Sequence, residues 1–236
     1  MQAFESLDGG LLVDKPSGMT SHDVVDVIRR RFKIKKVGHC GTLDPAATGL
    51  LVIVLGKATR LSEKLMGDDK VYEGQIKFGE ATSSYDADGE VLAVAPVPPL
   101  TVDVLNQAAE AFVGDLLQVP PMVSAVKQGG IPLYKMARKG MEVERKPRLI
   151  HIYQYRFSSY SEPFAGFRVA CTKGTYIRSL AHDLGQKLGC GAHLSSLRRL
   201  ACGRFDIVDA TSLDALLQMP LSELEKRVIP FLKLAP

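Results

Sequence analysis

The sequence predicts an α+β protein, and three observations carry that reading. Apolar runs of strand length recur along the chain, at 11–15, 50–55, 71–79, 149–155 and 167–171. Between them lie segments with apolar residues at helical spacing, at 20–32, 102–113 and 175–188. The 236 residues suffice for one large domain or two small ones and can bury a core without disulfide or metal staples.

Taken in order, Leu11-Leu12-Val13-Asp14-Lys15 reads as a strand closed by Pro16-Ser17-Gly18. Thr20 then starts a helix as its N-cap, with Asp23 in the first turn and Val24, Val27, Ile28 and Phe32 as the apolar stripe. The run 50–55 is uniformly apolar and long enough for one buried strand. A short helix is expected over 58–65. The next strand places Tyr72, Gly74, Ile76 and Phe78 on one face, where Tyr72 serves either as core or as a π-surface for a base. A polar loop follows at 82–90; its carboxylates lack the full ligand ladder of a calcium loop, so no metal is expected there. The 102–113 helix turns Leu105, Ala108, Ala109 and Phe112 inward. Residues 119–148, rich in Pro, Gly and basic side chains, read as a mobile, positively charged flap. After the strands at 149–155 and 167–171, Thr175 is expected to cap a helix running to Leu188. Its first turns contain Arg178, a charge the helix dipole disfavours and a buried carboxylate would offset. Short helices are expected at 211–217 and 221–227.

Composition narrows the function classes. No apolar run approaches the roughly 20 residues of a membrane span, and the start of the chain shows no secretory pattern, which points to the cytoplasm. Cys40, Cys171, Cys190 and Cys202 form no Cys-x-x-Cys pair and read as reduced structural thiols. The net charge is only +4, but basic residues cluster at 29–36, at 138–148 and at Arg198, Arg199 and Arg204, a distribution suited to phosphates.

The stretch with the richest chemistry is Gly38-His39-Cys40-Gly41-Thr42-Leu43-Asp44-Pro45-Ala46-Ala47-Thr48-Gly49-Leu50. It sets a carboxylate between an apolar residue and a proline, with glycines on both sides, at the lip of a buried strand. An isolated Asp-Pro reads first as a turn. The length of this motif favours a reactive group held rigidly.

Gly38-His39-x-Gly41-x-Leu43-Asp44-Pro45-x-Ala47-x-Gly49 resembles the active-site signature of the TruB family, the tRNA pseudouridine-55 synthases. Asp14-Lys15-Pro16-x-Gly18-x-Thr20-Ser21, Lys70-x-Tyr72, Asp86-Ala87-Asp88-Gly89, Pro121-x-x-Ser124-Ala125-x-Lys127, Lys173-Gly174-Thr175-Tyr176-Ile177-Arg178 and Leu197-Arg198-Arg199-Leu200 are similar to its other motifs, in the same order. The resemblance spans about residues 10–207. It implies a pseudouridine synthase fold: a mixed, mostly antiparallel central sheet flanked by helices, with a catalytic cleft across the middle. It implies a catalytic domain over 1–208 with a thumb-like RNA-binding insertion near 119–148. The sequence departs from the family in its last segment, where a short helical tail is expected at 209–236 and not the full PUA RNA-binding domain that members often carry.

It also implies an isomerase that flips uridine 55 out of the tRNA T loop, breaks its N1–C1′ bond and joins C5 to C1′, without cofactor or metal. Asp44, Tyr72 and Arg178 are then catalytic, with the Arg178 guanidinium keeping Asp44 ionised. His39, Leu197, Tyr176, Lys15, Asp86, Lys127 and Arg138 fall on the substrate-binding side. The partner is the T arm of tRNA; a monomer without membrane or obligatory protein partner is expected. Two other readings stand beside this one: a guide-RNA-dependent synthase subunit, and an RNA-folding helper.

Overall fold

The computed structural model describes residues 7–124, 127–133, 136, 141 and 143–234. The backbone divides into two units, one made by the chain up to Tyr72 and from Arg198 onward, the other by Glu73–Leu197.

The first unit begins with β1 (Gly9–Lys15), α1 (Ser21–Phe32), β2 (Val37–His39) and β3 (Thr48–Leu55), then a 3-10 turn, Gly56–Leu61, and α2 (Ser62–Met66). The 3-10 turn and α2 together occupy the stretch expected as one helix. β4 (Lys70–Phe78) leads out of this unit. α1 starts as the sequence requires: the Thr20 side chain accepts from the Asp23 amide, and the Asp23 carboxylate accepts from the Thr20 amide at 2.8 Å, a reciprocal cap.

β1 and β3 pair antiparallel over seven positions and are covered on both faces. Leu11, Val13, Leu51, Ile53 and Leu55 face α1, whose inward side is Val24, Val25, Ile28 and Phe32. Leu12, Leu50, Val52 and Val54 face the opposite layer with Cys40, Ala58, Leu65 and Cys202. The strand period of two thus explains why the 50–55 run carries no polar residue.

The second unit continues β4 and adds β5 (Glu80–Thr82), β6 (Val91–Val94), α3 (Val102–Glu110), β7 (Gly114–Gln118), β8 (Lys127–Gln128), β9 (Ile131–Pro132), β10 (Arg148–Ser161), β11 (Phe164–Cys171) and α4 (Ile177–Lys187). β12 (Ala192–Cys202) starts in this unit and returns the chain to the first. Within the second unit the sheet runs β4-β11-β10-β7, with β10 antiparallel to both β11 and β7. α3 packs on β10 and on α4. Tyr155, Phe157 and Phe167 form an aromatic knot with centroids 5.2 to 6.2 Å apart. Such rings add about 0.5–1.5 kcal/mol per pair beyond their burial. The basic helix expected inside the flap falls largely outside the described residues, as does Arg138.

The C-terminal segment rejoins the first unit. β13 (Phe205–Asp206) pairs antiparallel with the end of β12; β14 (Thr211–Ser212) adds parallel to β1, and β15 (Ile229–Pro230) adds antiparallel to it. α5 (Leu213–Gln218), α6 (Leu221–Arg227) and α7 (Phe231–Leu234) contribute Leu213, Leu216, Leu224 and Leu234 to its two core layers. The tail read as two short helices is therefore built into the first unit's sheet and core. Strand pairings are mostly antiparallel, while β1 with β14 and β3 with β12 run parallel.

Candidate active site

In the first unit the Asp44 loop connects β2 to β3, and its backbone is tied on both sides of the carboxylate. Ser21, the first residue of α1, accepts from the Leu43 amide at 2.8 Å and donates to the Leu43 carbonyl at 3.2 Å. Beyond Asp44, the Pro45 carbonyl accepts from the Gly18 amide at 2.9 Å and from Lys15 Nζ at 3.1 Å. Ser17 Oγ donates to the Ala46 carbonyl at 3.1 Å, and the Ala47 amide donates to the Asp44 carbonyl at 3.1 Å. The turn reading of Asp-Pro is met, and the turn leaves Asp44 half-buried.

Arg199 braces the same loop from beneath. It is 1% exposed; its Nε donates to the Leu50 carbonyl at 2.7 Å and its Nη2 to the Gly41 carbonyl at 3.2 Å. The sequence had placed it in a phosphate-binding cluster, and the structure corrects that. Arg198 and Arg199 face opposite ways on β12, and Arg198 holds Asp14 in a two-point pair at 3.0 and 2.7 Å. Arg204 is exposed but donates to the Lys233 carbonyl and lies over the Phe205 ring. The only local sign of the inward arginine was strand parity.

His39 ends β2, half-buried, with Nδ1 out of water and without a hydrogen-bond partner among the described residues. Burial, then the charges of Arg199 and His22, hold its pKa below the ordinary value. Tyr72 is 8% exposed and shares the inward side of β4 with Lys70, which donates to the Met66 carbonyl at 2.8 Å and to that of Asp68.

In the second unit Arg178 lies in the first turn of α4, 4% exposed. Within this unit the Arg178 guanidinium is paired with Asp86, a residue the sequence reading set on the substrate-binding side, whose Oδ2 lies 3.3 Å from Nη1. Arg178 also donates to the carbonyls of Ser84 at 3.2 Å and Val123 at 2.8 Å. Asp86 in turn accepts from Ser84 Oγ and from the Asp88 amide. Tyr85 takes a left-handed backbone with φ 66° and stacks on His182, one helical turn after Arg178, at 3.9 Å.

The helix start itself differs from the expectation. Thr175 is not the cap: its hydroxyl donates to the Thr172 carbonyl at 2.9 Å, and the N-cap position is Tyr176. Gln118, which the sequence did not single out, grips the Tyr176 backbone, donating to its carbonyl at 3.1 Å and accepting from its amide at 2.7 Å. Tyr176 and Leu197 are half-buried, Leu197 as the last residue of this unit. Lys127 lies on β8, and its side chain, like all of Arg138, falls outside what is described. Among the described residues no group of three or more His, Cys, Asp or Glu side chains is placed to hold a metal, and no helix is long and apolar enough to cross a membrane.

Residues 29–177 match the N-terminal domain of the TruB family pseudouridylate synthases, and residues 178–232 match the tRNA pseudouridylate synthase B C-terminal domain. The chain belongs to the TruB family. It is similar to the tRNA pseudouridine synthase B of Opitutus terrae, at 54% identity over 236 residues, covering 100% of this chain and 98% of the relative. The enzyme of the same name from Syntrophotalea carbinolica is 48% identical over 89% of this chain and 69% of its own length. Among solved structures, a Cbf5-Nop10-Gar1 complex matches with a TM-score of 0.76 at 30% identity, covering 96% of this chain and 61% of the other. An H/ACA RNP bound to a substrate RNA containing 2′-deoxyuridine matches with a TM-score of 0.70 at 27% identity, over 96% of this chain and 58% of the other. The chain thus spans about 60% of the length of these structural neighbours.

In this TruB-family chain the motif lysine is an internal strut. Lys15 is fully buried, and its Nζ donates to the carbonyls of Pro16 at 2.8 Å, Met19 at 2.6 Å and Pro45 at 3.1 Å. The expectation that it meets substrate gives way to a positioning role, because its donors are occupied by the segments flanking α1 and Asp44. Burial pushes its pKa down to about 8 from 10.5, against the opposing attraction of the Asp44 carboxylate. Between these two values the unfolded chain holds a proton that the fold does not. The destabilisation from burying the charge is therefore fully present below pH 8 and is lost as pH rises from about 8 to 10.5. The melting temperature of the wild type relative to Lys15→Met should accordingly climb over that window, as read by calorimetry; a difference flat in pH would refute the shift.

Proposed function

We propose that this chain isomerises uridine 55 in the T loop of tRNA, with Asp44, Tyr72 and Arg178 as its catalytic residues. As a member of the TruB family, with relatives about half identical that are tRNA pseudouridine synthases, it is an isomerase acting on tRNA. The observation that carries the residue assignment is the Asp44 loop, whose backbone is fixed on both sides by Ser21, Lys15, Gly18 and Ser17. A carboxylate so held loses little freedom when it meets a reacting centre, which is how orientation lowers a barrier.

The reaction breaks the N1–C1′ bond, turns the uracil and joins C5 to C1′, releasing the C5 proton. Asp44 supplies the negative charge at the reacting sugar or base. Tyr72 offers its ring to the flipped uracil, whose extrusion costs a few kcal/mol. Arg178 brings a guanidinium whose orientation is set by Asp86, so Asp86 acts through Arg178. Leu197 gives the base an apolar wall, His39 supports the opened T loop, and Tyr176, Lys127 and Arg138 meet the RNA around it. The enzyme acts as a monomer on the T arm, in the cytoplasm, and without a guide RNA.

Unmodified tRNA carrying tritium at uridine C5 tests this. Label should be released by the chain alone, and a transcript with cytidine at position 55 should release none. Release only after adding a guide RNA would support a guide-dependent subunit instead, and tight binding without release would support a folding helper.

A further inference from the structure

The first unit carries a basic strip that the catalytic assignment leaves unused. Arg29, Arg30, Arg31, Lys33, Lys35 and Lys36 place six cations within eight positions at the end of α1 and just beyond it, with Asp26 as the carboxylate on the same turn of the helix. Part of this charge has an internal explanation. Cations near a helix C-terminus are favoured by its dipole. Arg29 pairs with Asp26 at 2.7 Å, and Arg31 ties α1 to the end of α5 through the carbonyls of Leu217 at 2.7 Å and Met219 at 3.1 Å. The remainder has none. Lys33 ends the helix in a left-handed conformation, and Lys35 and Lys36 lie past the reach of the dipole, exposed. Arg30 is also exposed and uses only its Nε, on the Asp26 carbonyl at 3.3 Å.

Two elements measure how far the strip lies from the chemistry. α1 begins at Ser21, bonded to Leu43 beside Asp44, and its 12 residues carry the chain about 18 Å to the basic end. β3 begins next to the same loop, and its eight residues extend about 26 Å to Gly56, whose amide donates to the Lys36 carbonyl. The strip is thus on the same unit as Asp44, and these two elements set its far end about 18 to 26 Å from the loop.

We propose that this strip binds the phosphate backbone of tRNA outside the T arm. The inference rests on tRNA being the substrate and extends its footprint. Exposed cations at this density neutralise a polyanion; they position the RNA and read no sequence. An enzyme that works on one nucleotide gains affinity for whole tRNA from such contacts without altering its chemical step.

The test compares wild type with the triple variant Arg30→Gln/Lys35→Gln/Lys36→Gln in the tritium-release assay, using full-length tRNA and a hairpin that carries only the T arm. For full-length tRNA the KM of the variant should rise at least tenfold near 0.1 M salt, and the slope of log affinity against log salt should flatten by about 2 to 3, as three phosphate contacts are lost. Its kcat, its KM for the hairpin and its melting temperature should match wild type. An unchanged KM and slope on full-length tRNA would overturn the proposal, as would an equal rise on hairpin and full-length RNA. Loss of binding to anionic lipid vesicles with tRNA kinetics intact would assign the strip to a membrane surface and overturn it too. If wild type released label from neither RNA, the functional assignment would fail instead.

Discussion

Asp44→Asn lowers tritium release from uridine C5 by roughly 10,000-fold or more, while tRNA affinity and the melting temperature stay close to wild type. The size follows from removing the group that carries the chemistry, a loss comparable to deleting a nucleophile or a general base elsewhere. The selectivity follows from how the loop is held. Ser21 grips the backbone of Leu43, Lys15 and Gly18 grip the Pro45 carbonyl, and Ser17 grips that of Ala46. Asparagine keeps the shape of aspartate and leaves all of these bonds in place. What changes is charge: the variant lacks the negative group that attracts the Lys15 ammonium, so the Lys15 pKa should fall further. A single-turnover assay on labelled tRNA, paired with a binding isotherm, reads both halves of the prediction. Release within tenfold of wild type would remove Asp44 from the reaction.

The legible parts of this fold are those whose cause is local. The Thr20 cap, the one-residue alternation through 71–79 and the apolar run of β3 each follow from a few adjacent residues, and the structure shows each of them. β12 was harder. Its sequence, with Ser195, Ser196, Arg198 and Arg199, lacks apolar alternation because one arginine inside the protein takes a position that an aliphatic residue would ordinarily fill. The partners of Arg199 are the carbonyls of Gly41 and Leu50, about 150 positions earlier, so nothing near it in the chain announces its burial. β7 escaped notice for another reason: it is a short strand at the sheet edge with Leu117 exposed, and such strands carry little pattern.

The candidate site divides along the same line. Asp44 stands in a glycine-framed loop that sequence alone marks out, and Arg178 betrayed itself as a charge at the wrong end of a helix. Their supports were invisible. Ser21 reads only as the first residue of a helix, Gln118 as an unremarked polar residue before two prolines, and Tyr85 as part of a polar loop. Each acts through a long-range backbone contact or a strained turn, which composition and periodicity do not encode.

Gly49→Ala is the stability counterpart of the loss of Asp44, and it should lower the melting temperature by about 10 °C. Gly49 has φ +100°, and a Cβ there would lie 2.3 Å from the Arg199 carbonyl oxygen and 2.7 Å from its amide nitrogen. Both are backbone atoms of β12, held in parallel register with Gly49 on β3, so no side-chain rotation relieves the clash. Backbone strain of this kind costs about 1–3 kcal/mol and forced overpacking a similar amount, together about 4 kcal/mol. In a chain of this size each kcal/mol lowers the melting point by about 2–4 °C. Gly18→Ala is the control. Gly18 has φ +85° but nothing within 4 Å of the Cβ position, so it isolates the conformational cost from the steric one. Equal losses in the two variants would show that the β3–β12 contact yields easily. A much larger loss at Gly49 would show that it does not. The displacement would then pass through Arg199 to the Gly41 carbonyl and the entry of the Asp44 loop. In that case the variant loses kcat as well as stability, even though the new methyl group touches neither substrate nor catalytic carboxylate.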